Sequence, residues 1–192
     1  MQRNVTINGK QIVVMIVAIG LIAMVISSFL YRLEGPKAHR SAQQGATPGG
    51  VKISEEQSAD IQKYMEMLQK DPNDTAALAG LGGIFLNNGT WDKAATFWER
   101  YLKQKPEDDG AVYHYALALL NLNRFQDSAA QFEILTQLDP KGFQGFYYLG
   151  MVNIYYLDNK AKGKEYLEKV LGLNPDHKDV LETVRNELQQ MK

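Results

Sequence analysis

The chain has 192 residues, a formal net charge of −1 and 22% charged residues, which is ordinary for a globular protein. No block carries the concentrated excess of Lys and Arg that phosphate binding requires, so nucleic acid is not an expected partner. There is no cysteine. Thiolate nucleophiles, Cys-ligated zinc, iron–sulfur clusters and disulfides are therefore excluded.

The first apolar feature is residues 11–31, which carry no charge. Residues 12–30 are almost all Ile, Val, Met, Ala and Leu, and as a helix they would span about 28 Å, close to the thickness of a bilayer's hydrocarbon core. The alternative is a cleaved signal peptide, whose apolar core is normally shorter and precedes a small-x-small site. Because residues 29–32 read Phe-Leu-Tyr-Arg, we predict an uncleaved transmembrane signal-anchor after an N-terminal tail of residues 1–10.

The flanking charges give little information on orientation, because Arg3 and Lys10 are nearly balanced by the basic residues that follow the span. A short tail, one span and then the whole globular part is the usual layout of a bacterial signal-anchor. We therefore predict a single-pass protein of the bacterial inner (cytoplasmic) membrane with its domain on the extracytoplasmic side. Residues 32–53, rich in Gly, Pro, Ser and Gln, are predicted to be a flexible linker with a reach of roughly 25 Å.

A repeat dominates the rest of the chain. Pro72, Pro106, Pro140 and Pro175 recur at intervals of 34, 34 and 35 residues, each in a similar polar context. Proline cannot continue a helix and marks the turn into the next one. A period of this length indicates stacked helix pairs.

Other columns of the repeat agree with this period. A bulky residue recurs eight positions before each proline, and small residues recur where two helices would cross. Gly150 aligns with the small residues of the first two repeats if the extra residue of the third repeat lies after it. The bulky column is Tyr64, Trp98, Phe132 and Leu167, and the small columns are Gly82, Ala116, Gly150 and Ala94, Ser128, Gly163.

Polar residues mark the predicted helix ends. Ser54 with Gln57 has the spacing of a capping box, and so has Asn123 with Gln126. Acidic residues, among them Asp74 and the pair at 108–109, stand where helices begin, which suits the helix dipole.

Residues 75–177 resemble three tetratricopeptide-repeat (TPR) units. The first unit matches best and the second keeps its aromatic and small residues, whereas the third has one extra residue and Lys160 where an aromatic residue is expected. The matching residues are Leu78, Leu81, Gly82, Phe85, Ala94, Trp98 and Pro106, then Tyr115, Ala116, Phe125, Phe132 and Pro140.

The resemblance implies an all-α fold, a right-handed superhelical stack of about three helix hairpins that follows the transmembrane helix. The TPR domain would cover residues 54–192. The implied repeats are residues 75–108, 109–142 and 143–177, with capping helices at 54–70 and 177–190.

The family's concave groove is its usual binding surface, and the first helix of each pair forms it. Tyrosine suits such a surface because it combines contact area with a polar tip, although the alternative is that the tyrosines pack between helices. Transferred to this chain, the groove residues are Ala79, Gly83, Asn87, Tyr113, Leu117, Asn121, Tyr147, Met151 and Tyr155. An early insertion in the third repeat would shift its set to Tyr148, Val152 and Tyr156.

Catalytic and metal-binding patterns are not found. The three histidines form no pair at helical spacing, and no phosphate loop or nucleophile elbow occurs. His114 is interpreted as a packed helix residue and the pair at 108–109 as a helix cap. We predict neither an enzyme nor a bound cofactor.

The predicted function is a membrane-tethered adaptor that binds a peptide or a partner subunit. Chaperone adaptors of the family hold a terminal carboxylate with Lys, Asn and Arg, but here Ala79, Gly83 and His114 stand at three of those positions. A neutral or amphipathic segment is therefore expected. The layout is similar to the TPR portions of cytochrome c biogenesis factors and to anchored TPR proteins of the secretion translocon. The alternative is a self-associating structural module, with the spacing Ala23-x-x-x-Ser27 assisting helix pairing into a homo-oligomer.

Overall fold

A computed structural model describes residues 53–191. The predicted tail, the transmembrane segment and nearly all of the linker lie outside the described residues. Within them the chain forms helices joined by short turns, with no strand. The helices are α1 (Glu55–Lys70), α2 (Thr75–Asn87), α3 (Trp91–Gln104), α4 (Asp109–Asn121), α5 (Phe125–Leu138), α6 (Gln144–Tyr155), α7 (Lys160–Leu173) and α8 (Lys178–Gln190).

The helices pack in sequential pairs, α2 with α3, α4 with α5 and α6 with α7. Each pair packs on the next through its second helix, while α1 precedes the first pair and α8 follows the last. The first helices of the pairs also meet, α2 with α4. The result is a linear stack in which every helix contacts mainly its neighbours in the sequence.

Short polar side chains start several helices as predicted. The Ser54 hydroxyl accepts a hydrogen bond from the Gln57 N–H at 3.1 Å, and the Gln57 side chain accepts one from the Ser54 N–H, which completes the capping box. Asp108 caps α4 by accepting from the Ala111 N–H at 2.9 Å, and Asp74 caps α2 in the same way. These bonds satisfy amide groups that a helix start leaves without partners.

The second predicted capping box is wrong. Asn123 lies one residue too early, because Arg124 is the N-cap of α5 and makes no side-chain capping bond. Asn123 instead has a φ of 59°, in the left-handed region, where it turns the chain between α4 and α5. Asparagine tolerates this conformation better than most residues, so the turn and not the cap explains its presence.

The core forms where the bulky column meets the small column. A Cβ atom added to Gly82 would lie 2.7 Å from the Trp98 ring, and one added to Gly150 would meet the Leu167 side chain. Ala116 and Phe132 occupy the same places in the second pair and are fully buried. A small residue is therefore needed wherever the first helix crosses the bulky residue of the second.

The extra residue of the third repeat lies in the turn between α6 and α7. Three residues separate the helices of the first two pairs, and four separate α6 from α7. The backbone hydrogen bond that spans each turn shows the same difference. The Arg124 N–H donates to the Leu119 carbonyl five residues earlier, whereas the Asn159 N–H donates to the Asn153 carbonyl six residues earlier. Gly150 therefore keeps the register of Gly82.

The predicted all-α, TPR-like stack is thus confirmed for the described residues. Its eight helices are 12 to 16 residues long. None of the helices described between residues 53 and 191 is sufficiently long and apolar to cross a membrane.

Candidate functional site

The nine predicted groove residues lie on the first helices of the three pairs, and together they are called the groove face below. Three of them come from each of α2, α4 and α6. Asn87, Asn121 and Tyr155 are exposed at the helix ends, whereas the other six, Ala79, Gly83, Tyr113, Leu117, Tyr147 and Met151, are half-buried.

The first pair contributes small side chains to the groove face. Nothing lies within 4 Å of a Cβ atom added to Gly83, so the position is open, unlike the tightly packed Gly82 beside it. Ala79 is half-buried and Asn87 is exposed. This end of the face is consequently shallow in side chains and leaves the backbone of α2 accessible.

The second pair contributes Tyr113, which is half-buried and joins two helices. Its ring lies 5.8 Å from that of Tyr148 in α6 and 6.4 Å from that of Phe132 in α5. Its hydroxyl lies 3.5 Å from the Tyr148 hydroxyl, and burial raises the pKa of Tyr148. Tyr113 therefore both packs the stack and presents a polar tip, which combines the two interpretations that the sequence left open.

The third pair contributes Tyr147, Met151 and Tyr155. Tyr147 and Met151 pack beside the buried cluster of α7 and α8. Tyr155 is 54% exposed, and its hydroxyl donates to the Glu187 carboxylate of α8 at 2.6 Å. That hydrogen bond raises the pKa of Tyr155, and burial raises the pKa of Tyr147.

The shifted set for the third repeat does not form one accessible row. Val152 is fully buried in the core, while Tyr156 is 52% exposed and stacks on Phe125 at 4.1 Å. Tyr148 stacks on Phe132 at 4.9 Å. The extra residue falls in the turn after α6, so the unshifted register describes this helix.

Charge is distributed unevenly between the two helices of each pair. The helices α2, α4 and α6 contain one formal charge, Asp109, while the Lys and Arg residues of the pairs lie on α3, α7 and the turns. A face without cations cannot hold a terminal carboxylate by ion pairing. Its tyrosines and amides instead supply neutral hydrogen bonds and apolar area.

His114 lies beneath this face. Its ring stacks on Trp98 with 4.9 Å between centroids, and burial lowers its pKa, an effect that Asp108 partly opposes. The His114 Nδ1 and Trp98 Nε1 atoms are buried and have no hydrogen-bond partner among the described residues. His114 is therefore a packing residue between α3 and α4, as interpreted from the sequence.

Two contacts of the site were not predicted from the sequence. Tyr148, which the sequence offers only in the shifted set, has its hydroxyl 3.5 Å from that of Tyr113. Glu187 of α8 fixes Tyr155, although α8 is predicted only as a cap. The contact between Glu187 and Tyr155 could have been expected from the charged face that the sequence shows on α8. In residues 53–191 no three His, Asp or Glu side chains are arranged to hold a metal ion.

Antiparallel helix pairs with small residues at each crossing define a helical-repeat protein of the TPR class. Two models described as tetratricopeptide repeat match the sequence, one at residues 63–109 and 113–154 and the other at residues 144–177. Together they cover more than half of the chain. The chain therefore belongs to the tetratricopeptide-repeat family.

Solved structures of the same fold include a crystal structure of MamA, which is 19% identical with a TM-score of 0.59, covering 68% of this chain and 81% of that one. MamA 41-end from Desulfovibrio magneticus RS-1 is 22% identical, with a TM-score of 0.55 and coverage of 61% and 68%. The TPR2B domain of yeast Sti1, in a complex with pHsp70, is 17% identical, with a TM-score of 0.56 and coverage of 62% and 98%. At these identities the likeness shows the fold alone. No curated protein sequence matches the chain.

Proposed function

We propose that the protein is a membrane-tethered, non-catalytic scaffold that holds a peptide segment or a partner subunit on its groove face. The supporting observation is the composition of that face: tyrosines with polar tips, an open backbone at Gly83 and a single formal charge among the three helices. Tyrosine-rich surfaces of this kind supply contact area and hydrogen bonds at low entropic cost. The TPR2B domain of yeast Sti1, which has the same fold and was solved in a complex with pHsp70, supports this proposal.

In this proposal the tether is residues 11–31, and the linker of residues 32–53 would give the domain a reach of roughly 25 Å from the bilayer. We propose that the domain lies on the extracytoplasmic side of a bacterial inner membrane. Such a tether raises the local concentration of the domain around membrane-bound partners, so a modest intrinsic affinity is sufficient.

The layout suits two assembly processes. In cytochrome c maturation, the protein would present an unfolded client to the haem-ligation machinery; alternatively, it would be a chaperone beside the secretion translocon. The chain contains no cysteine and hence no haem-attachment motif, so in the first process it would handle the client without carrying haem.

Self-association is the second candidate function. Tyr155 and Tyr156 are 54% and 52% exposed at the C-terminal end of α6. An exposed tyrosine offers contact area together with a polar tip. A second copy of the chain is one protein that these residues could contact.

The test is site-specific photocrosslinking in intact membranes. A photoreactive residue replaces Tyr113 or Tyr147 on the groove face, and the matched control replaces Gln137, which is exposed on α5. We expect one extracytoplasmic partner to be captured from the two groove positions and not from Gln137. Capture of copies of the protein alone would contradict the client-binding function and support self-association.

A steric variant separates direct binding from indirect effects. A Cβ atom at Gly83 meets no atom within 4 Å, so we expect Gly83→Arg to direct its side chain into the groove and prevent capture while the fold is kept. Gly83→Ala is the matched control and should leave capture unchanged. Equal capture from both variants would show that the partner does not use the groove face.

The tether has its own test. Alkaline extraction should leave the full chain in the membrane, and protease added to the outside of spheroplasts should digest residues 54–192. Release by alkali, or protection of the domain from protease, would contradict the proposed tether or orientation respectively.

A further inference from the structure

A pocket of about 640 Å³ lies where the C-terminal ends of α6 and α8 meet the first turns of α7. It is called the C-terminal pocket below. The wall residues relevant to its chemistry are Ile154, Tyr155, Lys160, Lys164, Glu187 and Met191.

The second repeat shows why this space is open. There Phe125 begins α5, and its ring stacks on Tyr156, the residue after α6, at 4.1 Å and 13°. Lys160 begins α7 at the same register, and Met191 follows α8 at the place of Tyr156. An aromatic pair fills the junction between the second and third pairs, whereas a lysine and a methionine leave the next junction unfilled.

One helical turn after Lys160, the third pair again has a lysine where the first two pairs have an apolar residue. Ala95 and Ala129 are 6% and 8% exposed in the first two pairs, but Lys164 stands at their position in α7. Lys160 and Lys164 therefore share one face at the start of a helix, where the dipole disfavours cations. The first two pairs instead place an aromatic residue and a buried alanine at these two positions.

The two lysines are weakly neutralised. The Lys164 ammonium lies 3.8 Å from the Glu168 carboxylate, and within residues 53–191 Lys160 forms no ion pair. Glu187 is the acidic residue in the wall, and its carboxylate already accepts a 2.6 Å hydrogen bond from Tyr155. The wall of the pocket thus combines two cationic groups with the apolar side chains of Ile154 and Met191.

We propose that the C-terminal pocket binds an acidic peptide segment of a partner protein. An aromatic or large aliphatic side chain of the peptide occupies the space beside Ile154 and Met191, where the Phe125 ring lies in the preceding junction. Neighbouring Asp or Glu carboxylates pair with Lys160 and Lys164. The inference rests on the proposed function and deepens it, because it places a determinant of partner choice at the Tyr155 end of the groove face.

The chemistry of the wall favours a peptide over a phosphate group. A headgroup or nucleic-acid phosphate needs cations and donors but makes no use of an apolar wall. Two lysines are also few for membrane-surface binding, which takes clusters of about four to eight. An acidic segment with an embedded aromatic residue matches both the cationic and the apolar residues of the wall.

Fluorescence anisotropy of labelled peptides with the full chain in detergent micelles tests the inference. The probe is Asp-Glu-Phe-Asp-Glu, and the matched peptides are Asn-Gln-Phe-Asn-Gln, without charge, and Asp-Glu-Ala-Asp-Glu, without the ring. We expect the probe to bind about tenfold more tightly than either matched peptide. Equal binding of the uncharged peptide, or no binding of the probe to the folded protein, would overturn the proposal.

Variants locate the binding. Lys160→Phe with Lys164→Ala rebuilds the packing of the second repeat, so the fold is kept and the affinity for the probe should fall about tenfold. Lys103→Glu changes an exposed lysine of α3 and should leave the affinity unchanged. An unchanged affinity in the double variant would overturn the proposal, as would stronger lysine-dependent binding to phosphatidylglycerol vesicles than to the probe.

The two proposals fail in different ways. If crosslinking from Tyr113 captures a partner in the double variant as well and the probe does not bind, only the C-terminal pocket is excluded. If crosslinking from Tyr113 also yields no partner, the proposed function itself is excluded.

Discussion

The first two helix pairs and the third pair solve the same packing problem with different residues. In the first two, the helix crossing is filled by an aromatic ring, Trp98 or Phe132, and the second helix begins with another aromatic residue. In the third, Leu167 fills the crossing and Lys160 begins the helix. The third pair keeps the small residue at the crossing, so the stack continues, but it leaves the outer junction open.

The difference extends into the core. Phe85 and Leu119 face the partner helix in the first two pairs, and the buried Asn153 takes the equivalent place in α6, donating to the Leu149 carbonyl at 2.8 Å. Asn153 also precedes the turn that holds the extra residue. A repeat therefore needs its crossing residues in order to stack on its neighbours, whereas the residues at its outer junction are free to take up other functions.

The largest expected effect is the loss of an aromatic residue from a crossing. Phe132→Ala removes a fully buried ring on which Tyr148 stacks, so we expect a loss of about 3–5 kcal/mol in the free energy of unfolding. Denaturant unfolding measures it. Ile134→Ala on the same helix is the control, because Ile134 is 38% exposed and should cost far less. Equal losses would mean that the crossing does not carry the stability of this pair.

Two neighbouring glycines test the small column. Gly82→Ala places a methyl group 2.7 Å from the Trp98 ring, and we expect it to destabilise the domain by about 1–3 kcal/mol. Gly83→Ala adds the same atom in open space and should stabilise α2 by roughly 0.5–1 kcal/mol. Thermal unfolding of both variants gives the signs. The same sign for both would contradict the assignment of the crossing to Gly82.

The third pair can be given a core residue of the first two. Asn153→Leu replaces a buried amide by the residue that Leu119 supplies in α4, and the Leu149 carbonyl remains an acceptor within its helix. We expect a gain of about 1 kcal/mol in the free energy of unfolding, because a buried amide is exchanged for an apolar side chain. A loss would show that Asn153 is needed for the longer turn after α6.

The smallest expected effect is a pH dependence in the first half of the stack. Burial lowers the pKa of His114, so its charged form is disfavoured in the fold. Keeping His114 neutral therefore costs the fold nothing above the ordinary histidine pKa of about 6.5. Stability is lost as the pH falls from that value through the lower pKa of the folded state, because the unfolded chain takes up a proton first. The melting temperature should therefore decrease as the pH is lowered from about 7.5 to about 5.5, and this decrease should be smaller in His114→Gln.

His177, exposed before α8, provides the matched control for that measurement. His177→Gln should reproduce the parent's fall in melting temperature. An unchanged fall in His114→Gln would exclude His114 as its source.

Much of the fold could be predicted from the sequence because its determinants are local. The 34-residue period, the crossing columns and the capping box at Ser54 depend on residues within one or two helices of each other. The capping box at Asn123 failed because the same residue type suits both a cap and a left-handed turn, and only the neighbouring helix start decides between them. The anchor of residues 11–31 stays a prediction.

The candidate site was less predictable, for a physical reason. The nine groove residues lie on the first helices of the three pairs, and whether they bind a partner stays a prediction. Exposure depends on contacts 30 or more residues away: Tyr113 meets Tyr148, and Tyr155 meets Glu187. Such contacts are set by the packing of one pair on the next, which no local pattern encodes.

Periodicity and composition are properties of the chain alone, and they were sufficient to predict the repeat, its length, its crossing residues and the lack of cysteine chemistry. The packing of the helices was needed to show that the extra residue lies in the turn after α6, that Gly83 is open while Gly82 is packed, and that Lys160 and Lys164 line a pocket. Each of these depends on which surfaces neighbouring helices cover, and that is decided when the pairs stack.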